Sequence, residues 1–376
     1  MKIVVVGKGI LGLSIAEFFS RSGQVQVRVL SNAQRITASS AAAANLATKA
    51  QVFARDPHFE LKIRGKKRYH DWLVRLRQEI GLANPEELSL VYHSAKGRDV
   101  FDDEESCSTQ WRRVVQPPLE IIQRELESQS LFRVGETAIE YGDEAWIDAR
   151  HILGLLEKVC RQRRVAFDEC DATDLGGLKS NIGSCDHLIL CAGAWTPGIL
   201  SAWGLASEDR FFGKRRWSWG GTLEIETSGR KIPEGVSLFE VVSSSGEPGK
   251  ITFSGSNQVL FCSSISVKLR DLGLASIPNQ KETLEHVENQ KIRMIEVAEQ
   301  FLGKKIGDFR HHFHWGMRLG FGHGELLVEN LSLPAMHSIV GKSLWVAAGA
   351  HKSGFLFAPC IGELVMQKMQ AHKAGL

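Results

Sequence analysis

The sequence predicts a two-domain α/β fold: helices packed on a parallel sheet gathered from separate stretches of chain, with an α+β domain on an antiparallel sheet inserted between them. Three observations carry this. Residues 2–23 read as strand, glycine loop and helix. Two later apolar strands, near residues 190 and 346, also run into glycine. The length of 376 residues, 43% hydrophobic and 24% charged, suits two globular domains without a disulfide or metal staple.

The first strand is Lys2-Ile3-Val4-Val5-Val6, β-branched and closed by glycine. Gly7-Lys8-Gly9-Ile10-Leu11-Gly12 follows as G-x-G-x-x-G. Ile10, Leu11, Ile15, Phe18 and Phe19 then recur at helical spacing up to Gly23, the expected C-cap. The glycine spacing has a mechanism: Gly7 permits the tight turn, Gly9 admits a pyrophosphate to the backbone, and Gly12 lets helix and strand pack closely. Free N–H groups and the positive dipole end of the helix, opening at Ile10 and Leu11, then hold phosphates. This is a Rossmann-like dinucleotide signature, strengthened by its strand–loop–helix context.

Val25–Leu30 is the second strand, and its end is where an acidic residue normally binds the adenosine ribose. Ser31-Asn32 stands there instead, with Arg35 nearby. Two readings stay open at this point. Arg35 suits the 2′-phosphate of NADP, whereas Ser31 or Asn32 suits a weaker contact to the ribose of FAD.

The strand at 186–191 ends in Ala192-Gly193-Ala194-Trp195, and the one at 343–348 in Gly349-Ala350-His351-Lys352-Ser353-Gly354 before a helix pattern over 361–369. A cofactor domain of residues 1–85, 141–205 and 306–376 is therefore expected, with a substrate domain of 86–140 and 206–305. Within the latter, strands are expected at Thr222–Ile225, Ile251–Ser254 and Gln258–Cys262, a turn at Asn257, a loop within 224–245 and a helix over Lys281–Leu302.

Composition and motifs exclude several classes. A net charge of +3 gives no electrostatic case for nucleic acid, even with the basic, tryptophan-bearing run Lys214–Trp219. That run suits a strand at the active-site mouth or a protein docking surface. No apolar run is long enough to span a membrane. The seven cysteines are odd in number and show no CxxC spacing, so reduced thiols and a cytoplasmic location are expected. The glycines at 7, 9 and 12 interrupt the N-terminal apolar run, which argues against a secretory leader. His311, His312 and His314 fit an alternating strand and no zinc pattern, so no metal is expected.

Taken in order, the glycine loop, Ala38-Ser39-Ser40-Ala41-Ala42, Trp146-Ile147-Asp148-Ala149-Arg150, the Ala192–Trp195 turn, Trp315-Gly316-Met317-Arg318 and Ala348–Phe355 resemble the D-amino-acid oxidase superfamily of FAD-dependent oxidoreductases, the group of glycine and sarcosine oxidases. The resemblance implies a glutathione-reductase-type FAD domain. It also implies oxidation of an amine or amino acid by hydride transfer from a C–H beside nitrogen to flavin N5, with reoxidation by oxygen. The cofactor contacts it implies are Gly7, Gly9, Ile10, Leu11, Gly12, Ser31, Asn32, Ser39, Ser40, Ala192, Gly193, Trp195, Gly349, His351, Lys352, Ser353 and Gly354.

By the same resemblance, Arg318 is the arginine that forks onto a substrate carboxylate, a role suited to its planar donors. Lys352 places positive charge near the flavin. His351 is expected to contribute backbone more than imidazole. Three departures bear on substrate: Lys8 where the family commonly has glycine, Ser31 for the ribose acid, and Leu319-Gly320 after Arg318 where the family has proline and an Asp-Gly turn. They leave an alternative within the superfamily, a flavoenzyme that oxidises a tryptophan of a partner protein during tryptophylquinone maturation.

Overall fold

The structure is a computed structural model describing residues 1–33, 35, 37–46, 58–82, 92–101, 103–115, 131–133, 137–205, 215–226, 238–242, 249–253, 258–263, 267–268, 280–302, 305–321, 326–331 and 343–375. Strand β1 (Lys2–Val6) leads into helix α1 (Ile10–Ser20) and strand β2 (Gln26–Ser31). Helix α2 (Phe59–Glu79), strand β3 (Tyr92–Phe101), helix α3 (Glu104–Val115) and strands β4 (Leu131–Arg133) and β5 (Ala138–Ile147) follow. Helix α4 (Ala149–Gln162), strand β6 (Ala166–Glu169), helix α5 (Leu175–Ile182), strand β7 (His187–Leu190) and helix α6 (Thr196–Ala202) return the chain to the first sheet. The remainder comprises β8 (Arg215–Glu226), β9 (Leu238–Val242), β10 (Gly249–Phe253), β11 (Gln258–Ser263), β12 (Val267–Lys268), α7 (Gln280–Leu302), β13 (His311–Phe321), β14 (Leu327–Asn330), β15 (Ser343–Ala348), α8 (Gly354–Phe357) and α9 (Ile361–Lys373).

Among the described residues the first sheet has the order β14-β15-β7-β1-β2-β6. Its pairings are parallel except for β14 against β15. The central strands are apolar on both faces, as a sheet covered by helices requires: Val4, Val6, Leu188 and Leu190 enter one core, while Ile3, Val5, Ile189 and Cys191 enter the other. Helix α1 ends earlier than Gly23, with Arg21 at its C-cap. Gly23 (φ +68°) lies two residues beyond and donates its N–H to Ser20 O. Asp148 caps α4 by accepting the His151 N–H at 2.9 Å.

A buried charge cluster pins α1, α2 and α4 together. The Glu17 side chain is 1% exposed and receives Arg21, Arg75 and Arg163 at 2.7, 3.1 and 3.0 Å, with Trp72 Nε1 at 3.4 Å. Burial opposes its ionisation, but the hydrogen bonds and charges of Arg21 and Arg75 prevail and pull the carboxyl from 4.5 down to about 2. Because the folded value lies below the unfolded one, the stabilisation is full above pH 4.5 and is lost as pH falls through about 2. Glu17→Gln is therefore expected to cost roughly 3 kcal/mol at neutral pH and to flatten the acid limb of a Tm-against-pH curve. An unchanged acid limb would refute this.

The second sheet runs β12-β8-β11-β10-β9-β3-β5-β4, with β13 also paired along β8. It is antiparallel except where β3 meets β9 in parallel. Strand β13 and residues 141–147 of β5 fall in stretches expected with the cofactor domain, and they hydrogen-bond into this sheet. For β13 the packing is mixed: Trp217 and Trp219 of β8 and Met317, Leu319 and Phe321 of β13 share one core with β1, β7 and β15. The two sheets are thus joined along β13. His311, His312 and His314 lie on this strand, with the His312 and His314 rings 6.5 Å apart. Of the expected loop, 224–226 and 238–242 are strand, whereas 227–237 and 243–245, like Ser254, Asn257 and Lys214, lie outside the described residues.

No helix among the described residues is long and apolar enough to cross a membrane, and no cluster of metal-ligating side chains occurs among them. Cys107, Cys160, Cys170, Cys185, Cys191 and Cys360 are buried cysteines. Burial pushes the Cys160 thiol up to about 12, reinforced by the nearby Glu17 charge.

Candidate active site

A cavity of about 430 Å³ opens at the carboxyl ends of β1, β2 and β7 and extends to β13. At its centre the glycine loop has the geometry its spacing implies. Gly7 sits at φ +118°, with its N–H on Leu30 O at 2.8 Å, and a Cβ there would lie 2.4 Å from Cys191 O. A Cβ on Gly12 would lie 1.9 Å from Gly7 O, so Gly12 serves helix–loop packing without itself lining the cavity. Gly9 caps α1 with no side chain, and the Ile10 N–H is met by Ser39 Oγ at 3.0 Å. A Cβ on Gly9 would crowd that same oxygen at 3.2 Å. This backbone cradle, with no acid in the first helical turn, fits the pyrophosphate of a dinucleotide.

At the end of β2, Ser31 and Asn32 line the cavity with Cys170 and Ala172. Arg35 also lines it, but is already held: its guanidinium pairs with Asp171 at 3.0 Å and lies 5.1 Å over the Trp195 ring. A guanidinium neutralised by a carboxylate is a poor seat for a 2′-phosphate, so the NADP reading loses its basis. Lys8, the loop's departure from glycine, reaches Glu157 of α4 at 2.7 Å, and both residues line the cavity.

The far wall is Met317-Arg318-Leu319 of β13, which pairs along β8. Antiparallel register sets Arg318 opposite Ser218, Gly316 opposite Gly220 and Gly320 opposite Arg216. Side chains two apart share a face, so the 316, 318 and 320 positions project together. Arg318 lies flat on Gly220, where a Cβ would come within 2.2 Å of its Nη2. On either side, Gly316 admits the backbone of Ala38 (2.6 Å from a would-be Cβ) and Gly320 admits the His351 ring (3.3 Å). Gly320 after the arginine, unlike the family's usual residues, thus makes room for an imidazole. That ring continues to Ser218, with Nε2 and Oγ 3.2 Å apart. Farther along the same face, Glu224 joins Arg150 and approaches His314 at 3.5 Å. Burial, then the Arg150 charge, lowers the His314 pKa.

Gly7, Gly9, Ile10, Leu11, Ser31, Asn32, Ser39, Ser40, Ala192, Gly193, Trp195, Arg318, Gly349, His351 and Gly354 all lie along this one cavity. Gly12 and Ser353 lie behind it. Lys352, which follows His351 (φ +46°), is exposed and outside the lining. Sequence reasoning missed Ser218 and Gly220. Both sit within a strand whose register with β13 no local pattern reveals.

Comparison with known proteins agrees with this geometry. Residues 2–368 match the family described as DAO, FAD dependent oxidoreductase. Over 81 residues, 21% of the chain, there is 37% identity to the "Bifunctional protein ThiO/ThiG" of Synechocystis sp., and the match spans only 12% of that protein's length. Among solved structures, iminodiacetate oxidase from Chelativorans sp. superposes with a TM-score of 0.66 at 18% identity, covering 98% of this chain and 95% of that one. Glycine oxidase from Geobacillus kaustophilus gives a TM-score of 0.66 at 16% identity, covering 98% and 94%. These two share the fold. With the match running nearly end to end, the chain belongs to the DAO family of FAD-dependent oxidoreductases.

Proposed function

We propose that the enzyme oxidises a small amine or amino acid bearing a carboxylate, at a C–H beside its nitrogen, with oxygen as terminal acceptor. The observation that carries this is Arg318: an arginine laid flat on Gly220, between the two glycines that admit the Ala38 and His351 loops of the cavity. A planar guanidinium in that setting offers two parallel donors to a carboxylate. FAD, when bound, supplies the hydride acceptor and the route for electrons to oxygen.

The chain's own residues do the rest. The Gly7–Gly12 loop and the α1 amino terminus hold the pyrophosphate, with Ser39 fixing the first turn. Ser31, Asn32, Arg35 and Trp195 enclose the adenosine end. Arg318 orients the substrate, while Met317 and Leu319 keep the adjoining wall apolar and limit water. The neighbours named as glycine oxidase and iminodiacetate oxidase support small amino and imino acids as the substrate class. The tryptophylquinone alternative gains no such support: Trp217 and Trp219 are core residues, 8% and 1% exposed, and present no docking surface.

The test is spectral. The purified protein is expected to be yellow, and anaerobic glycine, N-methylglycine or iminodiacetate is expected to bleach it, with peroxide released on admitting air. Failure of every amine and amino acid tried to bleach the flavin would overturn the proposal.

A further inference from the structure

The 349–354 loop, which lines the cavity beside the start of α1, contains a backbone oddity. His351 adopts φ +46°, a left-handed conformation that a β-substituted residue adopts at a cost and that glycine would take freely. Several contacts hold it there. Its N–H donates to Leu319 O at 3.1 Å, and Ala350 forms a bridge to Gly320, so the loop is stitched to the backbone of β13 on both sides of Gly320. The ring rests on Gly320 and ends in the hydrogen bond to Ser218 Oγ. Ser218 is 1% exposed and stands directly across the ladder from Arg318.

A left-handed histidine stands where glycine would be easier, and its ring reaches a buried hydroxyl on the strand beside the arginine. Strain held at a cavity wall by surrounding contacts points to a requirement for the side chain. We propose that His351, through its hydrogen bond to Ser218, is a positioning residue that fixes the 349–354 loop against the strand pair carrying Arg318, and so sets the seat of the flavin. The loop lines the cavity through Gly349, Ala350, His351 and Gly354, and a Cβ on Gly354 would come within 3.1 Å of Ile10, so displacing it loosens the glycine loop as well. The inference rests on FAD occupying this cavity and is independent of which substrate is oxidised.

The experiment uses the holoenzyme of the wild type and of His351→Gly, Ser218→Ala, the double variant and His351→Asn. Each is followed by Tm, by the visible flavin band and by the dissociation constant for FAD. His351→Gly relieves the backbone but gives up the ring's packing and its hydrogen bond, so Tm is expected to change little, while FAD binding weakens roughly tenfold and the flavin band shifts. Ser218→Ala is expected to give the same band shift, and the double variant to be no weaker in FAD binding than the worse single one, since both remove one bond. Asparagine tolerates the backbone and keeps a polar tip, so His351→Asn is expected to recover part of the affinity. A His351→Gly enzyme with the wild-type band and FAD affinity would overturn the proposal, as would additive losses in the double variant. These readouts need no turnover, so an enzyme that no amine bleaches would sink the proposed function while leaving this result to stand or fall by itself.

Discussion

Gly7→Ala is expected to leave the protein almost free of FAD and markedly less stable. Two costs combine at this position. The backbone sits at φ +118°, where an L side chain is strained, and the new methyl would lie 2.4 Å from Cys191 O, 2.7 Å from Cys191 C and 3.0 Å from Ala192 N. All three are backbone atoms at the end of β7, whose Cys191 N–H bonds Val6 O at 2.7 Å, so relief requires β1 and β7 to part at the cavity mouth. The expected loss is roughly 3 kcal/mol or more, beyond what strain alone brings. Gly23→Ala is the matched control: φ is +68°, but nothing lies within 4 Å of a Cβ there and the residue is far from the cavity. It is expected to cost only about 1 kcal/mol and to keep its flavin. Absorbance at the flavin band per chain, together with Tm, separates the two. Equal flavin content in both variants would show that the close approach at Gly7 does not shape the cofactor seat.

The contrast also marks how far the sequence speaks. The Gly7–Gly12, 192–195 and 349–354 turns were legible because glycine spacing at strand ends is a local signal, and each reaches the cavity, whereas the Ser39–Ser40 loop was legible by resemblance. Arg318 was legible only by resemblance, since nothing in Trp315–Arg318 itself distinguishes a substrate anchor from a structural ion pair. Ser218 and Gly220 were not legible at all. Their meaning comes from a register that joins residues about one hundred positions apart, and one step of slippage would turn every side chain to the other face. Arg35 and Lys352 show the complementary limit. A basic residue near a motif suggests anion binding, yet Asp171 occupies the first and the second is exposed outside the cavity lining.

Arg318→Leu is expected to reduce kcat/KM for a carboxylate-bearing amine by about three orders of magnitude, on the order of 4 kcal/mol, with FAD content unchanged. Most of the loss should appear in KM if the arginine only anchors the substrate, and in kcat as well if it also sets the angle of the C–H to the flavin. Arg318→Lys keeps the charge but not the fork, so partial recovery, within about a hundredfold of wild type, is expected. Gly220→Ala gives a second route to the same result without touching the arginine. Its methyl would stand 2.2 Å from Nη2 and 2.4 Å from Cζ, so the guanidinium must leave the strand surface. It should therefore raise KM for the acid while sparing an uncharged amine of the same size. If Arg318→Leu and Gly220→Ala both turn over the carboxylate substrate as the wild type does, the carboxylate is bound elsewhere. In that case the flat seating of Arg318 on Gly220 serves the joint between the two sheets and not the substrate.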